Sequence, residues 1–228
     1  MSIDLFSIRE QEIFKTLQEL TDCNFVIIGG YAVNAYTLPR FSVDCDLVIP
    51  NTKELSKIEL ILFQRGYEKI KLPKNLSYSG HFCRYEKMLE NNFIVSMDIL
   101  INQVIDRTTN STFSFDWIFN NSDKIFLKGK TITQEFKTRI INLDALIVMK
   151  IIANRSTDLR DIFMIFPHAR SHDWIRSEIK SRSNFNDLLE KVKVKISSKQ
   201  FRDDLSGVFG FIDPKVFEKH KNALLLFK

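Results

Sequence analysis

Residues 25–50 read FVIIGGYAVNAYTLPRFSVDCDLVIP, and this stretch decides the fold. It opens on four apolar residues, Phe25 to Ile28, which have the pattern of a buried strand. Gly29 and Gly30 follow, and a diglycine at a strand end lets the backbone turn sharply and approach a ligand closely. Residues 30–38 suit a short helix that Pro39 ends. A second strand is expected over residues 43–49. Its Asp44 and Asp46 stand at i and i+2, so both carboxylates face the same way. Carboxylates held together repel one another unless a cation lies between them. Cys45 points to the opposite side, as a packing residue.

A divalent metal beside a glycine turn is the core of a phosphoryl or nucleotidyl transfer site. Either motif alone is weak. The ordered set of strand, Gly29-Gly30, helix, Arg40-x-Ser42-x-Asp44-x-Asp46 and strand is far more specific. Further along, residues 93–101 read FIVSMDILI, in which Asp98 is embedded in an apolar strand. An unpaired carboxylate buried there is costly, so a partner must compensate it. Lys150 likewise interrupts an apolar helix face, IVMKII, and must reach solvent or an anion. Arg155, Asp158, Arg160 and Asp161 cluster at the next helix junction, where Asp158 and Asp161, one turn apart, would position a nucleotide base or Lys150, or else serve helix capping and ion pairs.

On these residues the chain resembles the nucleotidyltransferase superfamily that includes DNA polymerase beta. Within it, the chain is most similar to the AbiEii-like and MenT-like toxin-type group. The matching positions are Gly29-Gly30-Tyr31-Ala32, Arg40-Phe41-Ser42-Val43-Asp44-Cys45-Asp46, Asp98, and Lys150 with Arg155, Asp158 and Asp161. Tyr31 departs from a frequent serine or threonine, and Thr157 from a frequent lysine. The resemblance is strong over residues 24–50, moderate to about 165 and absent beyond.

The resemblance implies an α+β fold, a nucleotidyltransferase-type mixed sheet flanked by helices, followed by a C-terminal helical bundle. It implies two Mg²⁺ ions, with Mn²⁺ as a substitute, held by Asp44, Asp46 and Asp98. Asp44, Asp46, Asp98 and Lys150 would be catalytic. Gly29, Gly30, Arg40, Ser42, Lys150, Arg155, Asp158 and Asp161 would bind an NTP such as ATP. It further implies transfer of NMP to an acceptor hydroxyl, with a tRNA 3′ end or other RNA as acceptor. A toxin role with a cognate antitoxin would go with it. The alternatives are AMPylation of protein, modification of a small molecule, or a non-catalytic RNA- or protein-binding member of the fold.

The rest of the sequence bounds these expectations. With 228 residues, 44% of them apolar, seven glycines and five prolines, the chain has material for a real core. No apolar run is long enough for a membrane span, and residues 1–12 do not read as a signal peptide. Three scattered cysteines, Cys23, Cys45 and Cys83, suggest a reducing, cytoplasmic setting. Residues 1–100 carry 11 basic against 13 acidic residues, and residues 101–228 carry 22 against 15. The late basic excess suits a polyanion or an ordinary solvated helix surface.

Helices are expected over residues 5–20 and 52–64, the latter capped by Thr52 and stopped by Gly66. Strands are expected over 67–72, 81–88 and 93–101, with Glu90-Asn91-Asn92 as a hairpin turn. Residues 110–130 are mixed, with a turn at Gly129. From Asn142 the period is helical, with later helices over 173–180, 185–197 and 214–226. The division is set near 137, giving domains 1–136 and 137–228. His168 and His172 read as surface residues, and Lys191 and Lys195 as a solvated face or an RNA contact.

Overall fold

A computed structural model describes residues 5–71, 81–134 and 136–228, and the chain forms two compact units. The first comprises residues 1–35, 41–105 and 113–141; the second comprises 36–40, 106–112 and 142–228. The sequence set the division near 137. The structure divides after Ile141, because one more strand joins the first unit's sheet.

The strands are β1 (Val26–Ile28), β2 (Asp44–Ile49), β3 (Glu68–Lys69), β4 (Phe82–Met88), β5 (Ile94–Ile101), β6 (Gln103–Ile105), β7 (Thr112–Ser114), β8 (Ser122–Leu127) and β9 (Phe136–Ile141). Seven build one sheet in the order β3-β4-β5-β2-β1-β9-β8, and β6 and β7 form a separate ribbon. The sheet is mixed. β2 runs parallel to β5, β1 parallel to β9, and the other pairs are antiparallel. Val26, Ile27, Leu47, Val48 and Ile49 are fully buried, which is why this apolar stretch forms the sheet's centre.

Helices α1 (Leu5–Glu19), α2 (Gly29–Asn34), α3 (Thr52–Gln64) and α4 (Phe115–Asn120) accompany the sheet. The helix after the glycines is shorter than expected and ends before Pro39. The cap of α3 is Asn51, not Thr52: its side chain accepts from the Glu54 N–H at 3.0 Å. Gly66 follows at φ 82°, a left-handed stop. The expected strand at 67–72 is only two residues long here, and Leu72 lies outside the described residues. The Glu90-Asn91-Asn92 turn forms, with Asn91 and Asn92 at φ 55° and 59°, a region asparagine tolerates. It sets Met88 opposite Ile94, and so fixes the register of β4 on β5.

The second unit is helical: α5 (Leu143–Ala153), α6 (Ser156–Ile165), α7 (His172–Lys180), α8 (Phe185–Ile196), α9 (Lys199–Phe209) and α10 (Pro214–Leu226). Its core gathers around Phe163, whose ring lies 5.2 Å from Phe201, 4.9 Å from Phe217 and 5.5 Å from His220. Helix α9 went unread in the sequence because KQFRDDLSGVF buries only Phe201 and Leu205. The architecture is thus a mixed sheet with helices, followed by C-terminal helices. No helix among the described residues is long and apolar enough to cross a membrane.

Candidate active site

In the first unit the site begins at the turn between β1 and α2. Gly29 has φ 65°, open to glycine at little cost. A Cβ built on it would meet Asp46 Oδ2 at 2.0 Å, so the missing side chain makes room for that carboxylate. Two-residue periodicity places Asp44 and Asp46 on one face of β2, and Cys45, fully buried, on the other. Burial pushes the Cys45 thiol well up, as befits a packing residue.

Register supplies the rest. Asp46 pairs with Asp98 across the parallel β2–β5 ladder, and Asp98 with Arg84 across the antiparallel β4–β5 ladder. Directly paired residues share a face, so Asp44, Asp46, Asp98 and Arg84 lie together. Arg84 was not singled out in the sequence. It donates from Nε to Asp98 Oδ1 at 2.7 Å and from Nη2 to Asp98 Oδ2 at 2.6 Å. The same Nη2 lies 3.6 Å from Asp44 Oδ2. Burial pushes the Asp98 carboxyl up, against the pull of Arg84. The bonds to Asp98 hold Arg84 above the ordinary guanidinium range, so it stays charged.

Among the described residues, no three carboxylate, histidine or cysteine side chains converge as a metal cluster. The donor chemistry nonetheless fits a hard divalent ion. All three aspartates offer oxygen, they lie on neighbouring strands, and a cationic guanidinium stands between two of them.

Tyr31 is 1% exposed and packs edge-on against Phe14, at 6.3 Å between ring centroids. Its departure from serine or threonine therefore serves the core. Ser42 and Gly30 are buried.

The second unit holds the other predicted site residues. Arg40 donates to Asp161 twice, Nε to Oδ1 at 2.8 Å and Nη2 to Oδ2 at 2.7 Å. Lys150 Nζ lies 2.9 Å from Asp158 Oδ1 and 2.8 Å from Asp161 Oδ2. Arg155 Nε reaches Asp158 Oδ2 at 2.6 Å. One buried ammonium thus ties together two aspartates, each of which holds an arginine. Burial opposes the charge on Lys150, but Asp161 and Asp158 carry its pKa upward on balance. Burial opposes both carboxylates too, and Lys150 brings them below the usual range. The sequence aimed Lys150 at a nucleotide phosphate, with Asp158 and Asp161 to position the base or Lys150; it lies between those two aspartates, where its side chain is 7% exposed.

The same unit has a cavity of about 690 Å³ lined by Thr109, Asn154, Arg155, Ser183, Lys191 and Lys195, among others. Asn154 closes α5 in the left-handed conformation, at φ 46°, and its buried Oδ1 has no hydrogen-bond partner. His168 and His172 are exposed, and His172 stacks on Phe166.

The chain has the fold of solved nucleotidyltransferase structures, a mixed sheet with helices after it. Solved structures of that fold resemble the chain over nearly its whole length. The nucleotidyltransferase toxin MenT4 of Mycobacterium tuberculosis matches with a TM-score of 0.58 at 11% identity, over 98% of this chain and 82% of its own. A putative nucleotidyltransferase from Helicobacter pylori matches at 0.52 and 14% identity, over 100% and 96%. JHP933 from Helicobacter pylori also gives 0.52 and 14%, over 98% and 92%. No protein-family model matches the chain, and no curated protein matches it.

Proposed function

We propose that the chain is a metal-dependent nucleotidyltransferase that moves NMP from an NTP to an acceptor hydroxyl, with an RNA 3′ end of the tRNA type as acceptor. The observation that carries this reading is the shared face of Asp44, Asp46 and Asp98 against a glycine with no room for a side chain. Asp44, Asp46 and Asp98 would hold Mg²⁺ or Mn²⁺, which when bound would polarise the α-phosphate and favour the deprotonated acceptor hydroxyl. Gly29 and Gly30 let the backbone come close to the triphosphate. In the second unit, Asp161 and Asp158, tied together by Lys150, hold Arg40 and Arg155 in place.

The acceptor reading draws on charge and on the cavity. The second unit carries 18 basic against 12 acidic residues, or +6, whereas the first carries 15 against 16. Lys191 and Lys195 stand one turn apart at the cavity with Arg155, and their charge suits phosphate contacts. A toxin role, an antitoxin partner and a cytoplasmic setting complete the proposal by analogy of fold.

The test is incubation with each α-³²P-labelled NTP, Mg²⁺, total RNA and lysate protein, beside Asp46→Asn. Label in a small RNA, absent with Asp46→Asn, supports the reading. Label on protein makes it an AMPylating enzyme. Label nowhere, with no Mg²⁺-dependent NTP binding, leaves a binding member of the fold.

A further inference from the structure

Arg84 stands at carboxylates that the transfer reading gives to a metal. Its guanidinium spans two strands, bidentate on Asp98 and 3.6 Å from Asp44. Glu86, two residues on and paired with Ser96, lies on the same face. Arg84 is therefore the cation that this face sets against Asp44, Asp46, Glu86 and Asp98. Asp98 is fixed, with a side chain 7% exposed, but Arg84 is 33% exposed and has a path to solvent. The fork takes a lone pair on each Asp98 oxygen, and its positive charge opposes a divalent ion brought to the same carboxylates. The fork that fits a carboxylate also fits a phosphate.

We propose that Arg84 is an exchangeable counter-cation: it neutralises Asp98 and Asp44 until a divalent metal binds, leaves them to the metal, and then grips the phosphates of the incoming nucleotide. This inference rests on the metal-dependent transfer reading. It makes Arg84 a substrate-binding residue that also sets metal affinity. The two roles carry opposite signs, which a purely structural arginine would not give.

The experiment uses the full chain as wild type, Arg84→Met, Arg84→Lys and Asp46→Asn. Mn²⁺ affinity is read from the free-ion paramagnetic resonance signal. Nucleotide affinity is read by calorimetry with the α,β-methylene analogue of each NTP at saturating Mn²⁺. Arg84→Met should bind Mn²⁺ about tenfold more tightly and the preferred analogue about tenfold more weakly, the scale of a lost charged hydrogen bond. Arg84→Lys keeps the charge and loses the fork, so its Mn²⁺ affinity stays near wild type while analogue binding falls. If Arg84→Met does not fold, Arg84→Lys decides by that split. Unchanged or weaker Mn²⁺ binding by Arg84→Met, or unchanged analogue binding, overturns the proposal. If Asp46→Asn loses Mn²⁺ while Arg84→Met leaves it unaltered, only the role of Arg84 falls. If neither wild type nor Arg84→Met binds Mn²⁺, the metal reading falls with it.

Discussion

Replacing Lys150 with methionine tests whether the second unit's charge cluster is held by its centre. The side chains of Asp158 and Asp161 are 2% and 1% exposed, and each has Lys150 Nζ within 2.9 Å. Removing one partner of a buried pair costs about 3–5 kcal/mol, because the other charge stays behind. Here Asp161 keeps its bidentate Arg40 and Asp158 keeps Arg155, so the lower end, about 3 kcal/mol, is expected. For a chain of this size that is roughly 6–12 °C in melting temperature. Urea unfolding followed by Trp174 fluorescence in a Trp117→Phe background reads the second unit specifically.

The pH dependence carries the sign. Both aspartates have folded pKa values depressed by Lys150, so their stabilisation is present above the unfolded carboxylate pKa, about 3.9. It is lost as pH falls through the lower folded values. In Lys150→Met that depression weakens and the carboxylates protonate earlier, so the gap between variant and wild type narrows in acid. Lys150 itself is shifted up, so its contribution persists through neutral pH and is lost only above the ordinary lysine range. A loss below about 1 kcal/mol, against the 3–5 expected of a broken buried pair, would refute the reasoning, as would a gap that fails to narrow once pH falls below about 4.

Other perturbations separate the remaining parts. Gly29→Ala forces a left-handed alanine, about 1–2 kcal/mol, and drives its Cβ onto Asp46 Oδ2; Mn²⁺ binding should fall at least tenfold, as isothermal calorimetry would read. Asn51→Ala removes the α3 cap and should cost about 1 kcal/mol in urea unfolding with metal affinity intact. The pair Lys191→Glu and Lys195→Glu should lower the slope of log affinity against log salt for single-stranded RNA by about 1.4, two contacts at about 0.7 each; an unchanged slope removes them from the interface. A thiol reagent should label half-buried Cys23 and Cys83 in the native chain and spare Cys45 until unfolding.

What the sequence disclosed follows from where the physics is local. A four-residue apolar run, a diglycine and an alternating pair of aspartates are each set by backbone periodicity, and all three fell where they were expected. The helices of the second unit were legible where one face is apolar, as in α5, α8 and α10. Strand β9, FKTRII, was not. It is short and carries Lys137 and Arg139 at alternate positions, and its place depends on pairing with β1, more than a hundred residues away. Lys150 shows the same limit. That its charge needed an anion was legible, and so were Asp158 and Asp161 as residues to position it; that both reach it at once depended on how α6 folds back.

Arg84 is the more instructive omission, because the signal for it was present. A hairpin at Glu90-Asn91-Asn92 with Met88 opposite Ile94 fixes every later pair, since each step back along β4 is a step forward along β5. Four steps bring Arg84 opposite Asp98. The buried carboxylate demanded compensation, and the turn already named the residue that could give it. A charged residue on a half-exposed strand means little alone; register made this one the neighbour of Asp98. Register also sets it within reach of Asp44, and so at the oxygens that a metal would claim.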